Sequence, residues 1–131
     1  MTSRILVIDD DEATLELYRE FLETEGFEPH LSLISFENLS EVAHLRPDLI
    51  ILDAKINAQN DGLLFMQNLR RYPPASAIPV ILCTAAWQDM REQENVLRQK
   101  GVPVIYKPFD LEELLHTIRR TLRPLDSTNQ A

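Results

Sequence analysis

The sequence has one cysteine, no long apolar run and no excess of positive charge. A chain whose only cysteine is Cys83 cannot form an internal disulfide, which fits a reducing cytoplasm. Because Cys83 lies within an apolar run, we expect a buried core thiol. No segment approaches the roughly 20 apolar residues of a membrane span, and the run after residues 1–4 is too short for a secretory signal. A cytoplasmic location without membrane contact is therefore expected.

Basic residues are outnumbered, with 13 Lys and Arg against 21 Asp and Glu and a formal net charge of -8. Because nucleic-acid phosphates demand a basic surface, this domain is not expected to bind nucleic acid. His30, His44 and His116 are scattered without the spacing of metal ligands, which predicts surface positions. A length of 131 residues with 44% apolar residues fits one globular domain that needs no disulfide or structural metal.

Four short runs are apolar at every position, and they occupy residues 5–8, 49–52, 80–83 and 104–106. Such runs predict strands that helices cover on both faces, as in parallel sheets. A further strand is expected near residues 27–33, where Pro29 cannot donate to a ladder and so favours a sheet edge. Right-handed crossovers then give an open, doubly wound α/β sheet in which the first and third strands are neighbours.

Apolar residues at helical spacing predict five helices between and after these strands. The first covers about residues 11–25 and ends at Gly26. Two others show clear stripes, formed by Leu63, Leu64, Met66 and Leu69 and by Leu111, Leu114, Leu115, Ile118 and Leu122. Two are weaker, with anchors at Phe36, Leu39, Val42 and Leu45 and at Met90, Val96 and Leu97.

Polar side chains follow four of the predicted strands, at Asp9 and Asp10, Asp53, Thr84 and Lys107. Open α/β sheets bind ligands at the carboxyl ends of their strands, so these groups are expected in one pocket. Clustered carboxylates repel one another, and a hard cation such as Mg²⁺ relieves the repulsion. With an ammonium and a hydroxyl as further partners, the set predicts a site for a divalent cation and a phosphoryl group.

Five segments at fitting spacing resemble the receiver domain of bacterial two-component response regulators. They read ILVIDD (5–10), PDLIILD (47–53), DG (61–62), PVILCTA (79–85) and KPF (107–109). The resemblance covers about residues 4–123. The resemblance implies a flavodoxin-like sheet in the order 2-1-3-4-5. It implies a signalling domain over residues 1–123, followed by a tail or the start of a linker at 124–131. Such a domain is no metabolic enzyme and catalyses at most its own phosphorylation and dephosphorylation.

The same resemblance implies a role for each site residue. Asp53 would accept the phosphoryl group, and Thr84 and Lys107 would contact the phosphoryl oxygens. Mg²⁺ would be held by Asp9, Asp10, Asp53 and the backbone carbonyl of Lys55. The Lys107–Pro108 peptide bond would be cis.

Partners also follow from the resemblance. A histidine kinase or a phosphotransfer protein would donate the phosphoryl group, and a downstream effector protein or domain would read the result. A homodimer formed on phosphorylation is a further expectation. Because no output domain fits in 131 residues, the chain is either a stand-alone receiver or a piece of a longer protein.

Some positions depart from the family pattern and keep other functions open. Asn57 stands where a proline is usual, the loop before Asp61 is one residue longer, and Val104 stands where an aromatic residue is usual. These departures allow a pseudo-receiver scaffold without efficient phosphotransfer. Asp9 and Asp11 also resemble the nucleophile motif of haloacid-dehalogenase-type phosphohydrolases, although Ala13 and the short chain argue against that function.

Overall fold

The computed structural model describes residues 2–33, 39–54, 61–85 and 87–122, in which strands and helices alternate. The strands are β1 (Arg4–Ile8), β2 (Glu28–Ser32), β3 (Leu49–Asp53), β4 (Val80–Thr84) and β5 (Val104–Tyr106). The helices are α1 (Glu12–Thr24), α2 (Leu39–Leu45), α3 (Asp61–Arg70), α4 (Trp87–Gln99) and α5 (Leu111–Leu122). No helix in these ranges combines the length and the apolar character that crossing a membrane requires.

The five strands form one parallel sheet in the order β2-β1-β3-β4-β5. The predicted doubly wound topology is therefore confirmed, and β2 lies at an edge, as Pro29 indicated. Ile8 of β1 pairs with Leu52 of β3, so Asp9 and Asp53 follow at the same height of the sheet. The winding reverses between these two strands, at the edge where open α/β sheets bind ligands.

Each face of the sheet contributes to its own apolar core. Leu6 and Ile8 pack on one face with residues of α2, α3 and α4. Ile5 and Val7 pack on the other face with residues of α1 and α5, and the buried Cys83 belongs to this second core. This two-sided burial explains why the runs at residues 5–8, 49–52, 80–83 and 104–106 are apolar at every position. Each fully buried Leu or Ile side chain stabilises the fold by about 1.5–3 kcal/mol relative to an exposed one.

Local signals set the ends of α1. The Asp11 carboxylate caps the helix and accepts hydrogen bonds from the backbone N–H of Thr14 at 3.2 Å and from its hydroxyl at 2.5 Å. Beyond the other end, Gly26 has a φ of +86°, a left-handed conformation that favours glycine. The predicted range of about 11–25 is thus close to the observed helix.

Three residues of the predicted apolar stripes are exposed instead of buried. Val96 of α4 is 50% exposed, whereas Met90 and Leu97 are buried as expected. Leu64 and Leu111 are 54% and 49% exposed. Val96 and Leu64 are exposed because successive helical residues differ by about 100° in direction, so the neighbour of a buried residue points away from the core. Leu111 shares the face of Leu114 but is the first residue of α5, where the helix begins at the surface.

Some predictions fall outside the described residues. They concern Phe36 as an anchor of α2, the loop that contains Lys55 and Asn57, and the tail at residues 124–131.

Candidate functional site

The ends of four strands carry the predicted site residues. Asp9 directly follows β1, Asp53 ends β3, Thr84 ends β4 and Lys107 directly follows β5. Because all strands are parallel, these positions share one edge of the sheet.

Lys107 connects two of the carboxylates through its ammonium group. Its Nζ lies 2.6 Å from Oδ2 of Asp9 and 3.3 Å from Oδ2 of Asp53. Asp9 is 2% exposed and Asp53 is 8% exposed, so both acids are buried beside this ammonium. The three residues therefore form one charged cluster at this edge of the sheet.

The electrostatics of the cluster keep Lys107 charged. Burial by itself lowers the pKa of an ammonium, because it disfavours the charged form. The hydrogen bond to Asp9 and the negative charges of Asp53 and Asp9 act in the opposite direction and outweigh burial, so the pKa of Lys107 is raised above its ordinary value. Lys107 is thus a fixed cation beside the Asp53 carboxylate rather than a proton donor.

The acidic residues of this edge fit a divalent cation. Carboxylate oxygens of Asp9, Asp10 and Asp53 all lie within 4.8 Å of one another. Among the described residues at this edge, three carboxylates face one ammonium, that of Lys107, so their formal charges sum to an excess of two negative charges. Oxygen ligands and an exposed Asp10 suit Mg²⁺, which binds through one or two carboxylates and keeps several waters.

The neighbouring Asp11 has a structural role. Its carboxylate caps α1, and its backbone N–H donates a hydrogen bond to Oδ1 of Asp9 at 3.0 Å. That bond orients the Asp9 carboxylate, whose Oδ2 accepts from Lys107. The start of α1 therefore helps to position the first carboxylate of the cluster.

Thr84 completes the described part of the edge. It is fully buried at the end of β4 and pairs with Tyr106 of β5. Its carbonyl oxygen accepts a hydrogen bond from the backbone N–H of Lys107 at 2.8 Å, which ties the two residues together. Lys55, whose carbonyl the resemblance assigns to the metal, lies outside the described residues.

The segment after β5 is held against α1. The Lys107–Pro108 peptide bond is cis, as the resemblance implied. The ring of Phe109 packs on that of Tyr18, with their centroids 5.7 Å apart. Tyr18 is buried next to Cys83, and burial raises the pKa of that thiol to about 12. Cys83 is therefore a protonated core residue, as its apolar context predicted.

Two features of the site region had no assigned role in the sequence analysis. Gly62, in the Asp61-Gly62 motif, lies directly against the backbone at the end of β3. The Tyr106 hydroxyl donates a hydrogen bond to Oε1 of Glu94 at 2.5 Å, which connects β5 to α4. A helix-start glycine is visible in the sequence, but the Tyr106–Glu94 contact has no local signal because it joins two different elements.

The sequence model of the response regulator receiver domain matches residues 5–119 of the chain. The chain is a response regulator receiver domain. Receivers of this family are signalling domains that bind Mg²⁺ through acidic residues, and the Asp9, Asp10 and Asp53 cluster provides such residues here.

Full-length regulators are among the relatives of this receiver. It is 34% identical over 128 residues to the DNA-binding dual master transcriptional regulator RpaA of Synechocystis, covering 98% of this chain and 52% of that protein. It is 35% identical over 123 residues to the response regulator MprA of Mycobacterium tuberculosis, covering 94% of this chain and 52% of that protein. The receiver thus spans about half the length of these relatives.

Solved structures show the same fold. A CheY-like receiver domain protein from Methanospirillum hungatei superposes with a TM-score of 0.80 at 24% identity, covering 98% of this chain and 99% of that one. The chemotaxis response regulator CheY4 of Vibrio cholerae gives a TM-score of 0.76 at 22% identity, covering 92% and 99%. At these identities the likeness concerns the fold.

Proposed function

We propose that this receiver accepts a phosphoryl group on Asp53 from a histidine kinase or a phosphotransfer protein, with Mg²⁺ as cofactor. The observation that carries the proposal is the position of the Lys107 ammonium, which contacts the buried Asp9 and Asp53 carboxylates at the same time. A cation beside the reacting acid and a cluster of carboxylates for a metal are the components that phosphoryl transfer requires.

The chemistry assigned to these residues is simple. An oxygen of the Asp53 carboxylate forms a bond to phosphorus while the bond between phosphorus and the donor atom breaks. Lys107 balances the charge that develops on the phosphoryl oxygens, and the Thr84 hydroxyl is the proposed donor of a further hydrogen bond. Asp9 and Asp10 are the other proposed Mg²⁺ ligands, and the bound ion would neutralise phosphoryl charge.

Access for a donor is available beside Lys107. A surface cleft of about 510 Å³ borders Lys107 and Ala85, between α1 and the segment that leads into α5. Its remaining lining is mostly apolar, with Leu17, Phe21, Phe109 and Leu111 among the residues. We propose that a protein donor docks against this apolar cleft, next to the strand edge that carries Asp53.

The output of phosphorylation is proposed to be a change of protein contacts. Thr84 and Lys107 are joined through their backbones, so a phosphoryl group that draws both side chains inward would bias the equilibrium of β4, β5 and the adjacent helices. A downstream effector protein or an attached domain would read that change. Because RpaA is named as DNA-binding and is about twice as long, an attached DNA-binding domain is one proposed reader.

The hydrolase alternative finds little support in the geometry. It requires Asp11 as an acid/base, yet the Asp11 carboxylate caps α1 and accepts hydrogen bonds from Thr14. Lys107 instead joins Asp9 to Asp53, which comes from a different strand. Because Asp11 is engaged as the cap of α1, we retain Asp53 as the proposed nucleophile.

Intact mass spectrometry after incubation with a small acyl phosphate and Mg²⁺ tests the proposal. We expect the mass to increase by one phosphoryl group in the wild-type protein and in Asp48→Asn, and to stay unchanged in Asp53→Asn. Asp48 is a matched control because it precedes the same strand at the opposite end, where it accepts a hydrogen bond from the backbone of Arg4. Full phosphorylation of Asp53→Asn would contradict the proposal, and a wild-type protein that accepts no phosphoryl group would favour the pseudo-receiver scaffold.

A further inference from the structure

Gly62 contacts the backbone of the proposed phosphoacceptor. It is the second residue of α3 and is buried. A Cβ atom at this position would lie 1.8 Å from the carbonyl oxygen of Asp53 and 2.9 Å from the carbonyl carbon and oxygen of Ala54. Separations below 3.0 Å are essentially never seen for a real Cβ, so a side chain here would force the helix and the strand end apart.

Space, rather than backbone conformation, explains this glycine. Gly26 and Gly101 have φ values of +86° and +82°, and no atom lies within 4 Å of the position that a Cβ would take. At these two positions the left-handed backbone conformation, and not a lack of space, favours glycine. Gly62 lies in a regular helix and has no positive φ. Alanine favours helix formation over glycine, so helix propensity disfavours the residue that is present.

A Cβ at this position could be accommodated only by moving the end of β3, the start of α3 or both. Helix α3 is anchored in the core by Leu63, Phe65, Met66 and Leu69. By contrast, the β3 ladder ends at Asp53, and the next backbone hydrogen bond, from Ala54 N–H to the Cys83 carbonyl, is 3.3 Å long. Because Ala54 is fully buried and its carbonyl accepts a hydrogen bond from the Leu63 N–H, a movement of α3 also displaces the end of β3.

We propose that Gly62 is a positioning residue for the Asp53 carboxylate, because its missing side chain lets α3 fix the end of β3 at the height of Lys107. The proposal rests on the proposed function of Asp53. To bring the distance between a Cβ at position 62 and the Asp53 carbonyl oxygen from 1.8 Å to at least 3.0 Å, the two backbones must move apart by more than 1 Å. The Asp53 oxygen already lies 3.3 Å from the Lys107 ammonium, so a shift of this size breaks their contact. Misplacement by about 1 Å lowers reaction rates by up to about 100-fold.

The test compares Gly62→Ala with Gly26→Ala in the full chain. Gly26→Ala serves as the control because it strains a left-handed turn, which destabilises the fold without a contact at the site. We expect Gly62→Ala to lower the rate of phosphorylation by an acyl phosphate by about 30- to 100-fold. Gly26→Ala should stay within about twofold of wild type at a comparable loss of stability. Equal rates in the two variants would overturn the proposal.

Magnesium binding gives a readout that loss of stability alone does not change. The dissociation constant for Mg²⁺ should rise at least about fivefold in Gly62→Ala, because Asp53 is a proposed ligand, and stay constant in Gly26→Ala. An unchanged constant in Gly62→Ala would overturn the proposal. A wild-type protein that binds Mg²⁺ but accepts no phosphoryl group would refute the proposed function. The Mg²⁺ dissociation constants of Gly62→Ala and Gly26→Ala would then still decide whether Gly62 positions the Asp53 carboxylate.

The wild-type protein provides a test even if Gly62→Ala does not fold. Each of the three glycines in the chain gives its own amide signal in a nitrogen–proton correlation spectrum. Added Mg²⁺ should shift the signals of Leu63, whose N–H donates to the Ala54 carbonyl, and of its neighbour Gly62, and leave those of Gly26 and Gly101 unchanged. Constant Gly62 and Leu63 signals at saturating Mg²⁺ would overturn the proposal.

Discussion

The Lys107 ammonium lies 2.6 Å from the Asp9 carboxylate, although 98 positions separate the two residues in the sequence. Two strands, β3 and β4, lie between the strands that carry them. The ends of those two strands carry Asp53 and Thr84, so the Lys107–Asp9 pair spans the proposed phosphorylation site. The same contact that stabilises the fold thus holds the cation of the site in place.

Replacement of Lys107 by methionine should lower both stability and activity. The Asp9 and Asp53 carboxylates would remain buried without their ammonium partner, which typically costs about 3 kcal/mol. We expect this loss in urea unfolding without Mg²⁺, with partial recovery when Mg²⁺ supplies positive charge. Phosphorylation by an acyl phosphate should fall by about 100-fold.

Lys100→Met is the control for this prediction, because Lys100 is exposed just beyond the end of α4. It should change stability by less than about 0.5 kcal/mol. If Lys107→Met unfolds at the wild-type urea concentration, the ammonium does not balance the two buried acids.

The Tyr106–Glu94 hydrogen bond should make the attachment of α4 to β5 depend on pH. The Glu94 carboxylate accepts hydrogen bonds from the Tyr106 hydroxyl and from Arg98, and these bonds lower the pKa of Glu94 below its ordinary 4.5. The stability that ionised Glu94 contributes is therefore present above pH 4.5 and is lost as the pH falls through the lowered folded-state pKa. Burial and the bond to Glu94 raise the pKa of Tyr106 from 10.0 to about 12. Its contribution is therefore complete below pH 10 and is lost as the pH rises towards 12.

Tyr106→Phe tests this pH window by urea unfolding. The variant should be less stable than wild type by about 1 kcal/mol at neutral pH, and the difference should shrink at about pH 3. Tyr72→Phe, which removes a hydroxyl on a different part of the fold, should show no such pH-dependent difference. A Tyr106→Phe deficit that is the same at both pH values would rule out a contribution from ionised Glu94.

Tyr18→Phe should leave the fold as stable as wild type or make it more stable. Among the described residues, the Tyr18 hydroxyl is a buried side-chain oxygen without a hydrogen-bond partner of good geometry, and the neighbouring Cys83 thiol is only a weak partner. An unsatisfied buried polar group typically costs about 1–3 kcal/mol, which the substitution removes while keeping the ring contact with Phe109. The free energy of unfolding measures this directly. A loss of more than about 1 kcal/mol would mean that the hydroxyl makes a stabilising contact.

The sheet was predictable because its physics is local. Strands that are buried on both faces must be apolar at every position, so β1, β3, β4 and β5 are visible in the sequence. Pro29 marks β2 as an edge strand for an equally local reason, the missing backbone donor. The convergence of Asp9, Asp53 and Lys107 then follows from parallel topology alone.

Features that depend on distance across the fold were not predictable. Val96 matched an apolar stripe, but the direction of a narrow stripe depends on how α4 sits on its neighbours. The Tyr106–Glu94 bond and the close approach of Gly62 to Asp53 join elements whose separation no sequence pattern reports. Both were found only from the three-dimensional arrangement.

Locating the phosphorylated residue is the most direct test of the account. After reaction with an acyl phosphate and Mg²⁺, borohydride reduction converts a phosphorylated aspartate to homoserine, which peptide fragmentation locates. We predict homoserine at Asp53 alone, and none when Mg²⁺ is removed. Homoserine at Asp9 or Asp10, or an unmodified Asp53 after treatment with every donor, would contradict the account.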